Sequence, residues 1–511
     1  HINNIMSNNQ VVLFGDSPPG HSRPVAIHVL ASFLRKHNIT VQPVWGFSYV
    51  SYDTFSRLCQ KFLNEHVKVV GISATLIADR KTHDFFGCTS EELSRRLALI
   101  KQLAPNAKIA VGGSQVTYDA LPTGPGTEMI DLYIKGQGEQ ALLELATATK
   151  PLKTESILPP TVSDKMYPHV EFSTTPTVYE IGDGIIEGEG LAMEFARGCI
   201  FKCSFCSYQL TGKKYGDYTK AKNTLIYELL HNYHTHGTTH YYVTDDMIND
   251  SEEKVDMILE VSQALPFKLQ YTAFMRLDMI RRFPSMAAKL RDSGLIGAFF
   301  GIETIDDASG RKVGKGLGLE RINEAIDICN EAWQGRVYGQ GSFILGLPGH
   351  TTNTKDELLA WLDNPSVKKL IKFITMYPLY IIPGLGLSEI DQNPAKFGYS
   401  EDTGNERNLA IRYNYSYLNW KTDTYTFSQA FDDAEYVKTQ FRKARKYLGI
   451  RHGGIFRLPY LLSLSDRKEE MLDLLLNDES TAWATNDDWI RYLAQIESNY
   501  RSRYIDLMLS K

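Results

Sequence analysis

The chain has 511 residues, 43% of them apolar and 23% charged, and a net charge of −5. This is the composition of a soluble globular enzyme of about two to four domains, and its acidic balance argues against a nucleic-acid partner while leaving a local basic groove open. Six cysteines are too few for a disulfide framework, and no apolar run of membrane-spanning length or signal-peptide pattern occurs, so a reduced, cytoplasmic protein without a membrane partner is expected.

From Val11 to about Lys150 strand and helix alternate. Val11–Phe14, Thr40–Trp45, Lys68–Ser73, Lys108–Gly113 and Leu132–Lys135 are short apolar runs that read as strands. Between them Val25–Arg35, Phe55–Asn64 and Glu91–Leu103 carry apolar residues at helical spacing. This order predicts a doubly wound parallel sheet, an α/β domain over residues 10–150. In such a sheet ligands bind beyond the carboxyl ends of the strands. The loops there are Gly15–His21, Ser73–Thr75 and Gly112–Thr117. Residues 151–190, with Pro159-Pro160, Pro168, Pro176 and a glycine-rich end, read as a wrapping connector.

Alternation resumes over residues 191–383. Strands are expected at Leu191–Ala196, His240–Thr244, Lys268–Phe274, Gly297–Ile302, Val337–Leu345 and Lys372–Tyr380, which makes a partial (β/α)6 barrel. The first strand runs into Arg197-Gly-Cys-Ile-Phe-Lys-Cys-Ser-Phe-Cys206, whose Cys199, Cys203 and Cys206 have C-x3-C-x2-C spacing. Three thiolates can hold three irons of a [4Fe–4S] cluster and leave the fourth open. A structural zinc site would want four protein ligands. The neighbouring strand ends carry Asp245-Asp246, Arg276, Glu303 and Gly346, at the edge where a β/α barrel keeps its active site.

Each of these has a plainer reading. Asp245-Asp246 suits a helix N-cap, Arg276 an ion pair with Asp278, and Glu303 a barrel brace. His231, His234, His236 and His240 suit a solvated helix end rather than a metal site. Lys213, Lys214, Lys220 and Lys222 suit a solvated face. Cys59, Cys88 and Cys329 read as small buried side chains.

Residues 384–511 lack the barrel rhythm. Tyr413, Tyr415 and Tyr417 alternate like a strand, followed by Trp420, Tyr425 and Phe427. Helices are expected at Phe431–Tyr447, Lys468–Leu476 and Asp487–Met508, giving a mostly helical cap that packs on the barrel mouth or binds substrate. No cysteine follows Cys329, so this region can build no further cluster.

The cysteine spacing, with Phe300-Gly-Ile-Glu-Thr304 and Gly346-Leu-Pro-Gly349, resembles the radical S-adenosylmethionine (SAM) superfamily. The N-terminal runs Val70-Gly-Ile-Ser73, Val111-Gly-Gly-Ser-Gln-Val-Thr117 and Lys135-Gly-Gln-Gly-Glu139 look like the Rossmann-like cobalamin-binding domain of its cobalamin-dependent members. The resemblance covers residues 11–383. It implies Cys199, Cys203 and Cys206 as cluster ligands, and Phe205, Asp245 or Asp246, Arg276, Glu303 and Gly346 around SAM. It offers Ser17, Gly20, Ser73, Thr75, Gly112, Gly113, Ser114 and Thr117 to a corrin. One departure matters. Cobalamin-dependent mutases carry D-x-H-x-x-G, whose histidine ligates cobalt, whereas here His21 follows Gly20 and the motif is absent. The first domain is therefore either a cobalamin site or a wall that keeps only the fold.

The implied activity is reductive cleavage of SAM to a 5′-deoxyadenosyl radical that attacks an unactivated carbon, with an electron donor such as flavodoxin or ferredoxin. With cobalamin it becomes C-methylation of a peptide or small-molecule natural product. Without it, epimerisation, rearrangement or cross-linking remains. A non-catalytic iron–sulfur sensor is the reading from outside enzymology.

Overall fold

The computed structural model describes residues 8–17, 22–73, 90–113, 125–157, 159–206, 218–383, 388–403, 417–444, 454–476 and 486–510. Strands β1 (Val11–Gly15), β2 (Val41–Trp45), β3 (Val69–Ser73), β4 (Lys108–Gly112) and β5 (Leu132–Lys135) form one parallel sheet with the expected bounds to within a residue or two. Its order begins β2-β1-β3-β4-β5, so the winding reverses between β1 and β3. That crevice is where open α/β sheets receive ligands.

The strands are short apolar runs because both faces are covered. Leu13 packs with Ile27 and Leu142 of helices Val25–Lys36 and Glu139–Thr147. Its neighbours Val12 and Phe14 face the opposite side, with Phe55, Leu58 and Leu97 of helices Tyr52–Phe62 and Ser90–Leu103.

The connector differs from expectation. Strands β6 (Ser156–Ile157) and β7 (Pro160–Ser163) extend the same sheet, with β7 parallel to β5 and β6 antiparallel at its edge. Val162 is fully buried, and β6 lies at the edge, where a proline-rich turn is tolerated. The rest of the connector is sewn down by buried charges. Arg23 donates to Glu189 at 2.6 Å and Arg35 to Asp183 at 2.6 Å. Glu189 also accepts from Ile186 N–H and the Tyr500 hydroxyl, so this buried carboxylate is fully partnered.

The second sheet contains β8 (Leu191–Met193), β9 (His240–Val243), β10 (Gln270–Met275), β11 (Leu295–Glu303), β12 (Tyr338–Leu345) and β13 (Ile371–Pro378). All six are parallel and lie in chain order, an open (β/α)6 barrel. Alternate residues divide as strand geometry requires. Tyr241, Val243, Ala273, Ala298 and Phe300 pack outward among the helices. Tyr242, Phe274 and Phe299 point the other way and gather around Phe456, with centroids 5.3, 5.3 and 5.7 Å from its ring.

The C-terminal region divides its packing between two places. Segment 454–464 fills the barrel floor, where Ile455 N–H donates to Gln340 at 2.9 Å. Helix Asn486–Ser510 runs back to the first domain, and its Tyr504 hydroxyl accepts from the Trp45 backbone N–H at 2.9 Å. Trp420, Tyr425 and Phe427 form a buried cluster at the ends of β12 and β13, with Trp420 Nε1 donating to Leu379 O at 2.7 Å. Tyr417 packs tilted against Tyr380, with ring centroids 4.5 Å apart, while Tyr413 and Tyr415 lie outside the described residues. No described helix is long and apolar enough to cross a membrane.

Candidate functional site

The cysteine loop leaves β8 and is stapled from both sides. Ser204 N–H donates to Val313 O at 3.1 Å, Ile390 N–H to Ser204 O at 3.0 Å, and Cys206 N–H to Cys203 O at 3.0 Å. Cys203 is buried, and Cys199 and Cys206 are half-buried. Burial holds the Cys199 thiol above its usual range, with the Asp246 and Cys203 charges adding to it and the Phe201 backbone hydrogen bond opposing. No three His, Cys, Asp or Glu among the described residues close around a single ion. The donor set is three free thiols on one short loop, the chemistry an iron–sulfur cluster takes, and thiolates that each hold a different iron need not converge as a single-ion cage does.

The two neighbouring aspartates separate. Asp245 is turned into the protein, which corrects its assignment to SAM. It accepts from Phe195 N–H at 2.7 Å and from the buried Lys254 ammonium at 2.8 Å, and so locks the exit of β8 to the exit of β9. Asp246 is exposed and lines a cavity with Glu194, Ala196, Arg197, Gly198 and Thr244. Its carboxyl is pushed up to about 6 by the surrounding protein and by the Asp245 charge, against a Gly198 backbone hydrogen bond.

Arg276 follows β10. Its Nε and Nη2 fork onto Asp278 at 2.8 and 2.7 Å, the ion pair that its spacing allowed. Its Nη1 donates to Cys203 Sγ at 3.3 Å, and the guanidinium lies 4.0 Å from the Phe201 ring centroid. Its backbone is pinned in both directions by Asn249.

Glu303 ends β11 in the left-handed region, at φ 67°. Burial raises its carboxyl, opposed first by Lys315. Lys315 Nζ donates to Gly301 O at 2.7 Å, lies 3.6 Å from Glu303 Oε1, and stands 6.0 Å from the half-buried Phe205 ring. Sequence reasoning passed over Lys315; its glycine-flanked position, Gly314-Lys315-Gly316, was the available signal. Gly346, which the resemblance placed beside SAM, packs under the C-terminal region. Its φ is +88°, and a Cβ there would come within 2.3 Å of the Trp420 ring, so the space above it is filled by the C-terminal aromatic cluster.

A cavity of about 420 Å³ opens between the two sheets. Ser73, Gly112 and Gly113 line it, as do Gly136, Gln137 and Gly138, which were quoted for the resemblance but not assigned to a site. It continues as an apolar slot among Leu13, Ile27, Leu30, Ile134 and Leu142. Glycines keep the slot open. A Cβ on Gly71 would meet Leu13 Cδ2 at 2.6 Å, and one on Gly15 would meet Ile27 Cγ2 at 2.8 Å. A glycine inside an apolar strand marks such a close approach. Ser17 is buried beside β1 and its hydroxyl has no partner among the described residues. These features fit a bulky ligand with polar edges. Gly20, Thr75, Ser114 and Thr117 lie outside the described residues.

One buried ion pair joins the sheets at the cavity edge. Arg197 Nη1 donates to Glu139 at 2.8 Å, and Arg197 also pairs with Glu194 at 3.0 Å. Burial alone would raise the Glu194 carboxyl, but Arg197, with Lys220 behind it, brings it below the usual range.

The plainer readings divide too. Lys220, expected on a solvated face, is buried against Glu228 and the Thr177 hydroxyl. His236 and His240 are buried rather than solvated, and His236 Nε2 bonds Tyr179 O at 2.7 Å. Lys222 pairs with Glu260 at the surface, while Lys213 and Lys214 lie outside the described residues. Cys59 and Cys329 are buried as expected, and Cys88 lies outside the described residues.

Comparison with known proteins shows what this geometry is similar to. Residues 193–362 match the radical SAM superfamily. An uncharacterised methyltransferase of Pyrococcus horikoshii is 24% identical over 348 residues, 64% of this chain and 70% of that protein. An anaerobic magnesium-protoporphyrin IX monomethyl ester cyclase of Cereibacter sphaeroides is 22% identical, and this chain spans 53% of its length. Among solved structures, the cobalamin-dependent SAM radical enzyme OxsB, with aqua-cobalamin and SAM bound, matches 98% of this chain and 79% of its own at a TM-score of 0.61 and 13% identity. The radical SAM methyltransferase TsrM of Kitasatospora setae, with tryptophan substrate and a SAM analogue bound, matches 78% of this chain and 79% of its own at 0.53 and 16%. The barrel region is thus similar to the radical SAM superfamily, and the parallel sheet that precedes it is folded like that of the cobalamin-dependent structures.

Proposed function

We propose that the chain is a cobalamin-dependent radical SAM C-methyltransferase acting on a peptide or small-molecule natural product. The observation that carries this reading is the cavity that runs from the β1/β3 crevice to Gly198 and Asp246, beside the cysteine loop. A corrin seated there would face a substrate held at the barrel mouth.

Cys199, Cys203 and Cys206 would hold the cluster, and Ser17, Ser73, Gly112, Gly113 and the Gly136–Gly138 loop would border the corrin. When bound, cluster and SAM together supply a 5′-deoxyadenosyl radical and cobalamin supplies the methyl group. The chain's own part is to bind, orient and exclude water. Asp246 offers a carboxylate to the cationic end of SAM. Glu303, held in a conformation that costs roughly 1–3 kcal/mol, is kept in place by Lys315 at the carboxyl end of β11. Phe205 offers a ring face to the adenine. The apolar slot between the first sheet and its helices would shelter the least polar part of the corrin from water.

The test is direct. After incubation with hydroxocobalamin and desalting, the protein should retain a corrin absorption spectrum. A corrin-free spectrum would reduce the first domain to a scaffold and favour a cobalamin-independent modification.

A further inference from the structure

We propose that Arg276 and Asp278 form a redox-tuning pair for the cluster, setting its potential through Cys203 rather than only binding SAM. This rests on the assignment of Cys199, Cys203 and Cys206 as cluster ligands.

Five observations carry it. Arg276 Nη1 donates to Cys203 Sγ at 3.3 Å. The other edge of the guanidinium is already committed to both carboxylate oxygens of Asp278, at 2.8 and 2.7 Å. The plane is held 4.0 Å from the Phe201 ring centroid, within the cysteine loop itself. The backbone of residue 276 is fixed by two hydrogen bonds to Asn249, so the side chain starts from a set point. Arg276 is 7% exposed, so bulk water does little to screen its charge from the sulfur.

The consequence follows from charge. Reduction adds one electron to the cluster, and part of that charge resides on the ligand sulfurs. A cationic N–H donor on Cys203 Sγ stabilises the reduced form and raises the potential, since hydrogen bonds to the sulfurs and local net charge set cluster potentials. Asp278 acts in the opposite sense by cancelling part of the guanidinium charge. The two residues therefore push the potential in opposite directions, although they form a single ion pair.

The experiment is redox titration of the reconstituted, SAM-free holoenzyme, followed by the spectroscopic signal of the reduced cluster, with iron content measured in each protein. Arg276→Met should lower the reduced-to-oxidised ratio at fixed potential about tenfold, a shift of about 59 mV to more negative values. Asp278→Asn should shift it to more positive values. Full iron with no shift in either variant, or shifts of the same sign, overturns the proposal; a role confined to the SAM carboxylate would leave the SAM-free potential unmoved. If Arg276→Met assembles no cluster, Asp278→Asn alone decides, and only a positive shift supports the pair. A wild-type protein without a cluster signal would instead defeat the ligand assignment itself.

Discussion

Arg197 and Glu139 meet at 2.8 Å, both largely shielded from solvent, and this pair ties the first domain to the cysteine loop. Arg197 lies two residues before Cys199, and Glu139 opens the helix that follows β5. The pair thus fixes how far the cavity between the sheets stands from the cysteine loop. Glu139→Gln should lower stability by about 1–2 kcal/mol, less than a fully broken buried pair, because Arg197 keeps Glu194. Methylated product per SAM cleaved should fall while iron content holds, as read by product analysis against an iron assay.

Removing any one cluster thiolate should abolish both cluster and turnover. Cys199→Ala, Cys203→Ala and Cys206→Ala should each lose the iron–sulfur absorption after anaerobic reconstitution. A full iron count in any of them would contradict the ligand assignment.

The slot under the first sheet can be closed by one side chain. Gly71→Val places its Cβ where Leu13 Cδ2 already lies 2.6 Å away and adds two methyls in the wall of the cavity, between Leu13 and Leu142. Corrin retention after desalting should drop to background while iron content stays at the wild-type level. Equal retention would mean that the corrin does not use this slot.

Gly346 should tolerate no side chain for a reason unrelated to cofactor. Gly346→Ala combines a φ of +88° with a 2.3 Å contact against Trp420, and should cost about 3 kcal/mol in urea unfolding. Trp420→Phe in the same background should recover part of that loss by opening the contact.

His350 gives a pH dependence with a definite sign. Gly346 N–H donates to its Nδ1 at 3.2 Å, so its Nε2–H donates to Thr304 Oγ1 at 2.9 Å, and the ring is neutral. Burial lowers it to about 4, with Asp306 opposing. Its folded value lies below the unfolded value near 6.5, so the stability it contributes is complete above about pH 6.5 and is lost as pH falls toward 4. The full loss is about 3 kcal/mol, of which about 2 is gone by pH 5. His350→Gln should flatten the fall in urea midpoint between pH 7 and pH 5.

Much of this was legible in the sequence, and for identifiable reasons. Parallel strands covered on both faces must be apolar throughout, so Val11–Phe14 and Lys68–Ser73 announce themselves. Cysteine spacing is set by the cluster, and the strand before it by the barrel. What was lost depends on contacts that no local pattern records. Asp245 and Asp246 are adjacent, yet one turns to Lys254 and the other to the cavity. Lys315 reaches Glu303 and Phe205 only because the Val313–Gly314 turn is bonded to the cysteine loop. Trp420 claims the space over Gly346 from a segment far along the chain. The strands at Ser156–Ser163 were hidden by Pro159-Pro160, which an edge position tolerates.

One product analysis separates cobalamin-dependent methylation from the other radical outcomes. Cluster- and corrin-loaded protein is incubated anaerobically with SAM, dithionite and candidate peptide or small-molecule substrates, and the SAM-derived products are quantified. Cobalamin-dependent methylation predicts 5′-deoxyadenosine and S-adenosylhomocysteine together, in comparable amounts. 5′-Deoxyadenosine alone, or neither product with any substrate, would contradict it.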